Sequence, residues 1–163
     1  MPKTPTRDPQ PSPAGPIMVV ALGASNTAGY GVGREAAYPA CIERLLRSRG
    51  LDVSMRNAGI AGDTTAGMLA RLKRDVPAAT RVVLFQPGSN DARLGVHEVE
   101  RERNIVAIQN QLGARGIAVI RVAAAFEAAR AGNLQTDGVH FTPDGHAAIA
   151  TLLVDTVATA LAR

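Results

Sequence analysis

Tryptophan is absent from this 163-residue chain, and only two tyrosines and three phenylalanines supply aromatic rings. With so few rings there is no platform on which bases or sugars could stack. Lysine is nearly missing as well: Lys3 and Lys73 are the only two, so the formal charge of +4 is carried almost wholly by arginine. The arginines (among them Arg44, Arg47, Arg71, Arg74, Arg101 and Arg103) lie scattered between Glu and Asp in helix-like segments. A nucleic-acid binder gathers its basic residues into a patch. The scatter here is expected to form a solvated, mildly basic surface, and nucleic acid is not an expected partner. Cysteine is reduced to Cys41, which excludes an intrachain disulfide; its apolar surroundings in 38–46 make it an expected buried small hydrophobe. No run of about eighteen apolar residues occurs, so no membrane-spanning helix is expected.

Residues 1–16 are rich in proline and lack the apolar stretch that a secretory signal needs. They are expected to be a disordered leader ahead of a single domain over 17–163. The chain is expected in the cytoplasm, or in the periplasm or medium where an export signal has been removed. With 46% apolar and 20% charged residues, the remainder suits one globular domain able to bury its own core. Nothing in the pattern fixes an oligomeric state.

From Ile17 onward, short apolar runs alternate with segments of helical spacing. Residues 17–22 form an apolar run closed by Gly23, as a strand buried on both faces requires. Helical spacing follows in 38–49, with Ile42, Leu45 and Leu46 on one face and Gly50 as the stop. A weaker strand is expected at 53–56 and a helix at 64–74. The clearest strand is 81–86, ended by Pro87-Gly88. A helix at 98–112, a strand at 117–122 and a last helix complete the set. That helix starts with Thr142 as N-cap and Pro143 in its first turn. The stretch 123–135 is expected to be a flexible wall. Strands alternating with helices imply a parallel sheet covered on both faces, and such a sheet binds ligands beyond the carboxyl ends of its strands.

Polar residues collect at those strand ends. After the first strand stands Gly23-Ala24-Ser25-Asn26, where a sharp corner either presents a nucleophilic serine or forms an ordinary turn. After the second comes Asn57-Ala58-Gly59-Ile60-Ala61-Gly62-Asp63-Thr64. A glycine N–H there suits an oxyanion, and Asp63 or Thr64 suits an N-cap. After the third comes Gly88-Ser89-Asn90-Asp91, either a turn or an amide aimed at developing charge. Ahead of the last helix stands Asp137-Gly138-Val139-His140, whose spacing lets a carboxylate reach the imidazole and fix its tautomer. The same four residues would also serve as a surface ion pair or half a metal site. No second cluster of His, Cys and carboxylates completes such a site, so no metal is expected. His97 is expected to be an exposed residue at a helix start. His146, in the first turn of the last helix, is expected to be near the site only in sequence.

In this order the four segments resemble the conserved blocks of the SGNH, or GDSL-like, hydrolases, and the resemblance runs from Ile17 to the C-terminus. I-A-G-D-T-T and D-G-V-H-F-T-P-D-G-H are most like the small bacterial arylesterase, thioesterase and lysophospholipase branch. The resemblance implies an α/β protein of the three-layer α/β/α, flavodoxin-like fold with a parallel sheet of four or five strands. It also implies that Ser25 is the nucleophile, His140 its base and Asp137 the residue that orients the base. The oxyanion would be held by the backbone N–H groups of Ser25 and Gly62 and by the Asn90 amide, and no cofactor is implied. The expected activity is hydrolysis of short-chain acyl esters, arylesters or thioesters, through an acyl-enzyme. A carbohydrate O-deacetylase and a non-catalytic binding module on the same scaffold are the alternatives.

Three departures from the family pattern stand out. Ala24 replaces the usual Asp of G-D-S-L, Ser89 stands where Gly or Thr is frequent, and only 46 residues separate Asn90 from Asp137. That interval holds one helix and one strand where relatives often fit a further unit, so the fifth strand and part of the cleft wall are expected to be missing.

Overall fold

The apolar runs after Pro16 and Ala79 become the two central strands of a four-stranded parallel sheet in the computed structural model, which describes residues 15–163. In chain order the elements are β1 (Ile17–Gly23), α1 (Ser25–Ala28), α2 (Tyr38–Ser48), β2 (Val53–Gly59), α3 (Thr65–Asp75) and β3 (Thr80–Phe85). They continue with α4 (Asn90–Arg93), α5 (Glu98–Ala114), β4 (Ala118–Arg121), α6 (Ala123–Ala129) and α7 (Pro143–Leu161). The sheet order is β2-β1-β3-β4, with every pairing parallel. The leader expected over 1–16 lies, through residue 14, outside the described residues.

The two-residue period of a strand divides the sheet's side chains between two cores. Val19, Ala21, Val82 and Leu84 face α2, α6 and α7, packing on Tyr38, Ile42, Phe141, Ile149 and Leu153. Val20, Leu22, Val83 and Phe85 face α3 and α5, packing on Met68, Leu72, Ile105, Ile108 and Leu112. This is why β1 reads as an unbroken apolar run: both of its faces are covered. The result is a three-layer α/β/α sandwich. From β1 the chain crosses to β2 on one side and to β3 on the other, so the crevice at the top of β1 is the topological switch point.

Several boundaries differ from expectation. β2 runs on through Asn57-Ala58-Gly59, because each pairs in register with Ala21, Leu22 and Gly23 of β1. These are turn-forming residues by composition, and only the partner strand makes them extended. Thr64 is the N-cap of α3, accepting the Gly67 N–H, and Thr142 caps α7 through the Gly145 N–H at 3.1 Å. The stretch expected to be a flexible wall instead begins as α6, whose Ala125 and Ala129 are buried against α7. An antiparallel bridge between Leu134 and Phe141 then closes the loop ahead of α7. Arg71 is not a solvated surface residue but a buried one. Its guanidinium holds Asp63 and Asp75 at 2.7 and 2.8 Å and donates to the carbonyls of Ala58 and Gly23. Cys41 is half-buried beside the core, within 3.6 Å of the Ala36 carbonyl. Among the described residues, no helix is long and apolar enough to cross a membrane.

Candidate active site

Gly23 ends β1 at a corner where a Cβ would run into Thr27 Oγ1 and the Gln86 side chain, so glycine is required for the turn. Ser25 follows at the start of α1, half-buried, with its Oγ 2.9 Å from His140 Nε2. On the other side of the imidazole, Nδ1 lies 2.6 Å from Asp137 Oδ2. The structure therefore brings Ser25, His140 and Asp137, 115 residues apart at the extremes of this contact, into one hydrogen-bonded line. With Nδ1–H donated to the carboxylate, Nε2 is left as the acceptor for the Ser25 hydroxyl, the tautomer a general base needs.

Asp137 remains ionised for local reasons. Its carboxyl is held down to about 2, first by accepting the His140 backbone N–H at 3.0 Å, then by the His140 ring and the Val139 N–H at 2.9 Å. Spacing of three residues thus does two things: the carboxylate caps the turn that carries His140 and grips the ring itself. Tyr30 lies against the imidazole with ring centroids 4.3 Å apart.

Asn90 begins α4 and lines the same cleft as Ser25 and His140. Its Nδ2 donates one hydrogen to the Asp63 carbonyl at 2.8 Å and keeps a second for the cleft. Gly62 is exposed, in a left-handed conformation at φ +81°, and does not line the cleft. It is joined to the site through its neighbour: the Asp63 carbonyl takes the Asn90 amide, and the Asp63 carboxylate takes Arg71. Asp91 is fully buried and ties α4 to the start of α3, accepting the Thr65 hydroxyl at 2.6 Å and the Thr65 N–H at 3.0 Å.

Two site residues had no signal in the sequence reading. Asn26 reaches the segment carrying His140 from both directions, donating to the Val139 carbonyl at 3.2 Å and accepting the Phe141 N–H at 3.1 Å. It fixes the histidine's backbone to the helix turn that carries the serine. Gln86, at the end of β3, accepts through Oε1 from the Ala24 N–H, the Thr27 N–H and the Thr27 hydroxyl, at 3.0, 3.3 and 2.7 Å. One amide oxygen thereby braces the turn that carries Ser25. Tyr38 OH continues the network to Thr27 at 3.0 Å, and burial drives its phenol pKa well above the ordinary value. Ala24 is itself buried, so the methyl packs where the usual Asp would need polar partners.

The other two histidines sit apart from this line. His97 is exposed at the N-cap position of α5 and makes no capping bond. His146 is wholly buried; its Nδ1 accepts the Tyr38 N–H at 3.1 Å, and its ring packs against Tyr38 and Phe141. Burial, aided by the nearby His140, lowers its pKa from 6.5 to about 4. Between those values the unfolded chain takes up a proton that the folded chain refuses, so stability falls as pH drops from about 6.5 to 4 and levels off below. We expect this residue to account for a loss on the order of 3 kcal/mol across that window. Urea midpoints measured between pH 4 and 7 should fall less steeply for His146→Asn, which retains an acceptor for Tyr38; equal slopes would refute the assignment.

Among the described residues, no group of three or more His, Cys, Asp or Glu side chains is arranged to hold a metal. The sheet order, the two helical layers and the polar residues beyond the ends of β1 and β3 define the SGNH-hydrolase fold. The chain belongs to the GDSL-like lipase/acylhydrolase family, whose model matches residues 21–130 and so stops short of Asp137 and His140. It is 30% identical to the esterase TesA of Pseudomonas aeruginosa over 106 residues, 63% of this chain and 51% of that protein. It is 37% identical to an arylesterase of Vibrio mimicus over 78 residues, 47% of this chain and 39% of that one. The chain thus matches about half the length, or less, of these curated relatives. The crystal structure of TesA superimposes with a TM-score of 0.80 at 21% identity, covering 88% of this chain and 99% of that one. The SGNH-hydrolase esterase AlinE4 gives 0.67 at 27% identity, covering 92% and 99%.

Proposed function

We propose that this protein is a serine esterase that hydrolyses short-chain acyl esters, arylesters or thioesters, through an acyl-enzyme. The observation that carries this reading is the unbroken line from Ser25 Oγ through His140 to an ionised Asp137. Its relationship to TesA and to an arylesterase supports the choice of reaction. In the first half-reaction Ser25 Oγ attacks the ester carbonyl while His140 Nε2 takes its proton. The resulting oxyanion is met by the Ser25 N–H, the free hydrogen of the Asn90 amide and, after a modest approach of its loop, the Gly62 N–H. His140 then gives its proton to the departing alcohol, phenol or thiol. Water repeats the sequence on the acyl-serine, and the acid leaves with Ser25 restored.

The cleft favours short acyl groups. It encloses about 330 Å³ and offers apolar surface only from a few residues such as Phe126, Val139 and Phe141. The four-stranded sheet supplies no further strand–helix unit to extend the wall. Each buried methylene contributes about 0.8 kcal/mol, roughly a fourfold gain in kcat/KM. That gain is expected to stop within the first few carbons. A p-nitrophenyl ester series from acetate to palmitate tests this, with an acetylated sugar as the parallel substrate. A steady climb into long chains would reveal a deep acyl site and overturn the short-chain reading. Turnover of the acetylated sugar alone would make the protein a carbohydrate deacetylase.

A further inference from the structure

We infer that the cleft selects esters carrying a second, anionic group, which Arg93 and Arg130 hold while Ser25 reacts. The inference rests on the esterase reading above and names its substrate class. Two guanidiniums line the cleft with Ser25 and His140, and among the described residues no Asp or Glu does. Arg93 stands in the last turn of α4, three residues beyond Asn90, and Arg130 caps the C-terminal end of α6. Both are exposed.

Elsewhere on the surface several arginines pair with a carboxylate, though Arg81 and Arg103, which do not line the cleft, have none. Arg47 pairs with Glu43, Arg49 with Asp155, Arg74 with Asp75 and Arg101 with Glu98. Arg93 and Arg130 form no ion pair or hydrogen bond with any described residue. The carboxylates nearest to them in sequence do not line the cleft. Asp91 is buried on Thr65, and Glu127, at helical spacing from Arg130, lines a neighbouring groove rather than the cleft. With Asp137 set behind the His140 ring, the two guanidiniums on the cleft wall attract a negative group on whatever enters. A guanidinium meets a carboxylate, phosphate or sulfonate through paired charge-assisted hydrogen bonds. A neutral short-chain ester uses neither arginine.

The anionic group could sit on the acyl chain or on the leaving group, and two pairs of substrates separate these. For the acyl side, the p-nitrophenyl monoester of adipic acid is compared with its methyl-capped neutral counterpart. For the leaving-group side, 4-acetoxybenzoate is compared with its methyl ester. Intrinsic reactivity cancels when each charged-to-neutral ratio of kcat/KM is compared between variants. In the Arg93→Ala/Arg130→Ala double variant we expect the ratio to fall about tenfold in at least one pair. Arg93→Glu/Arg130→Glu should lower it further, and Arg103→Ala, on α5, should leave it at the wild-type value. The wild-type ratio should shrink between about 20 mM and 500 mM salt, since exposed charges are screened over that range. Ratios that stay constant across all variants in both pairs, with the neutral esters still hydrolysed, would overturn the inference and spare the esterase reading. No turnover of any of the four esters by the wild-type protein would overturn both.

Discussion

Ser25→Ala is expected to reduce ester hydrolysis by a thousandfold or more, with no measurable change in thermal midpoint. The hydroxyl makes its one hydrogen bond among the described residues to His140, and neither core includes the residue. Its loss removes the attacking atom and leaves the imidazole facing the cleft, where water can satisfy it. The turn itself survives, because Gln86 braces it through the backbone of Ala24 and Thr27 rather than through the serine. Two measurements check this. Activity above a few per cent of wild type in the variant would sink the assignment. So would a phosphonate label found by mass spectrometry on another serine such as Ser89.

Asn90→Ala is expected to lower kcat by about a hundredfold or more while KM changes little. On the proposed mechanism the amide acts on charge that is present mainly in the transition state, which is why the ground-state complex should hardly notice its absence. A second loss adds to the first. The same Nδ2 ties down the Asp63 carbonyl, one residue from Gly62, so alanine also frees the loop that carries the proposed second donor. Michaelis curves on p-nitrophenyl acetate decide the matter. If KM rises and kcat holds, Asn90 binds substrate and takes no part in stabilising the oxyanion.

Much of this site was legible from residues close in sequence. Asp137 and His140 share one turn, so spacing alone predicted a contact that the structure records at 2.6 Å. Thr142 and Pro143 start α7 by local chemistry, and the apolar runs of β1 and β3 declared strands buried on both faces. The misses share a cause: their partners are remote. Asn26 looks like a turn residue until the backbone of Val139 and Phe141 arrives, 113 and 115 residues later. Gln86 ends a strand and could have pointed anywhere, and Arg71 is charged like its surface neighbours. What buries Arg71 is the meeting of Asp63, Asp75 and two strand-end carbonyls around it. Local propensity carries no information about such company. Helix α6 was missed because an alanine-rich stretch lacks the apolar stripe that marks a packed helix; its small side chains allow close contact with α7 instead.

The division of the site between two distant stretches of chain has a temporal meaning. Ser25, the loop bearing Gly62 and Asn90 follow β1, β2 and β3 in turn, all within the first 90 residues. Asp137 and His140 follow 47 and 50 residues after Asn90, ahead of α7, which packs over α2. On the proposed mechanism, a chain in which Asp137 and His140 have not yet docked has nothing to take the serine proton. Hydrolytic competence therefore requires the segment ahead of α7 to have docked on the serine turn, and recovery of activity during refolding would report that contact.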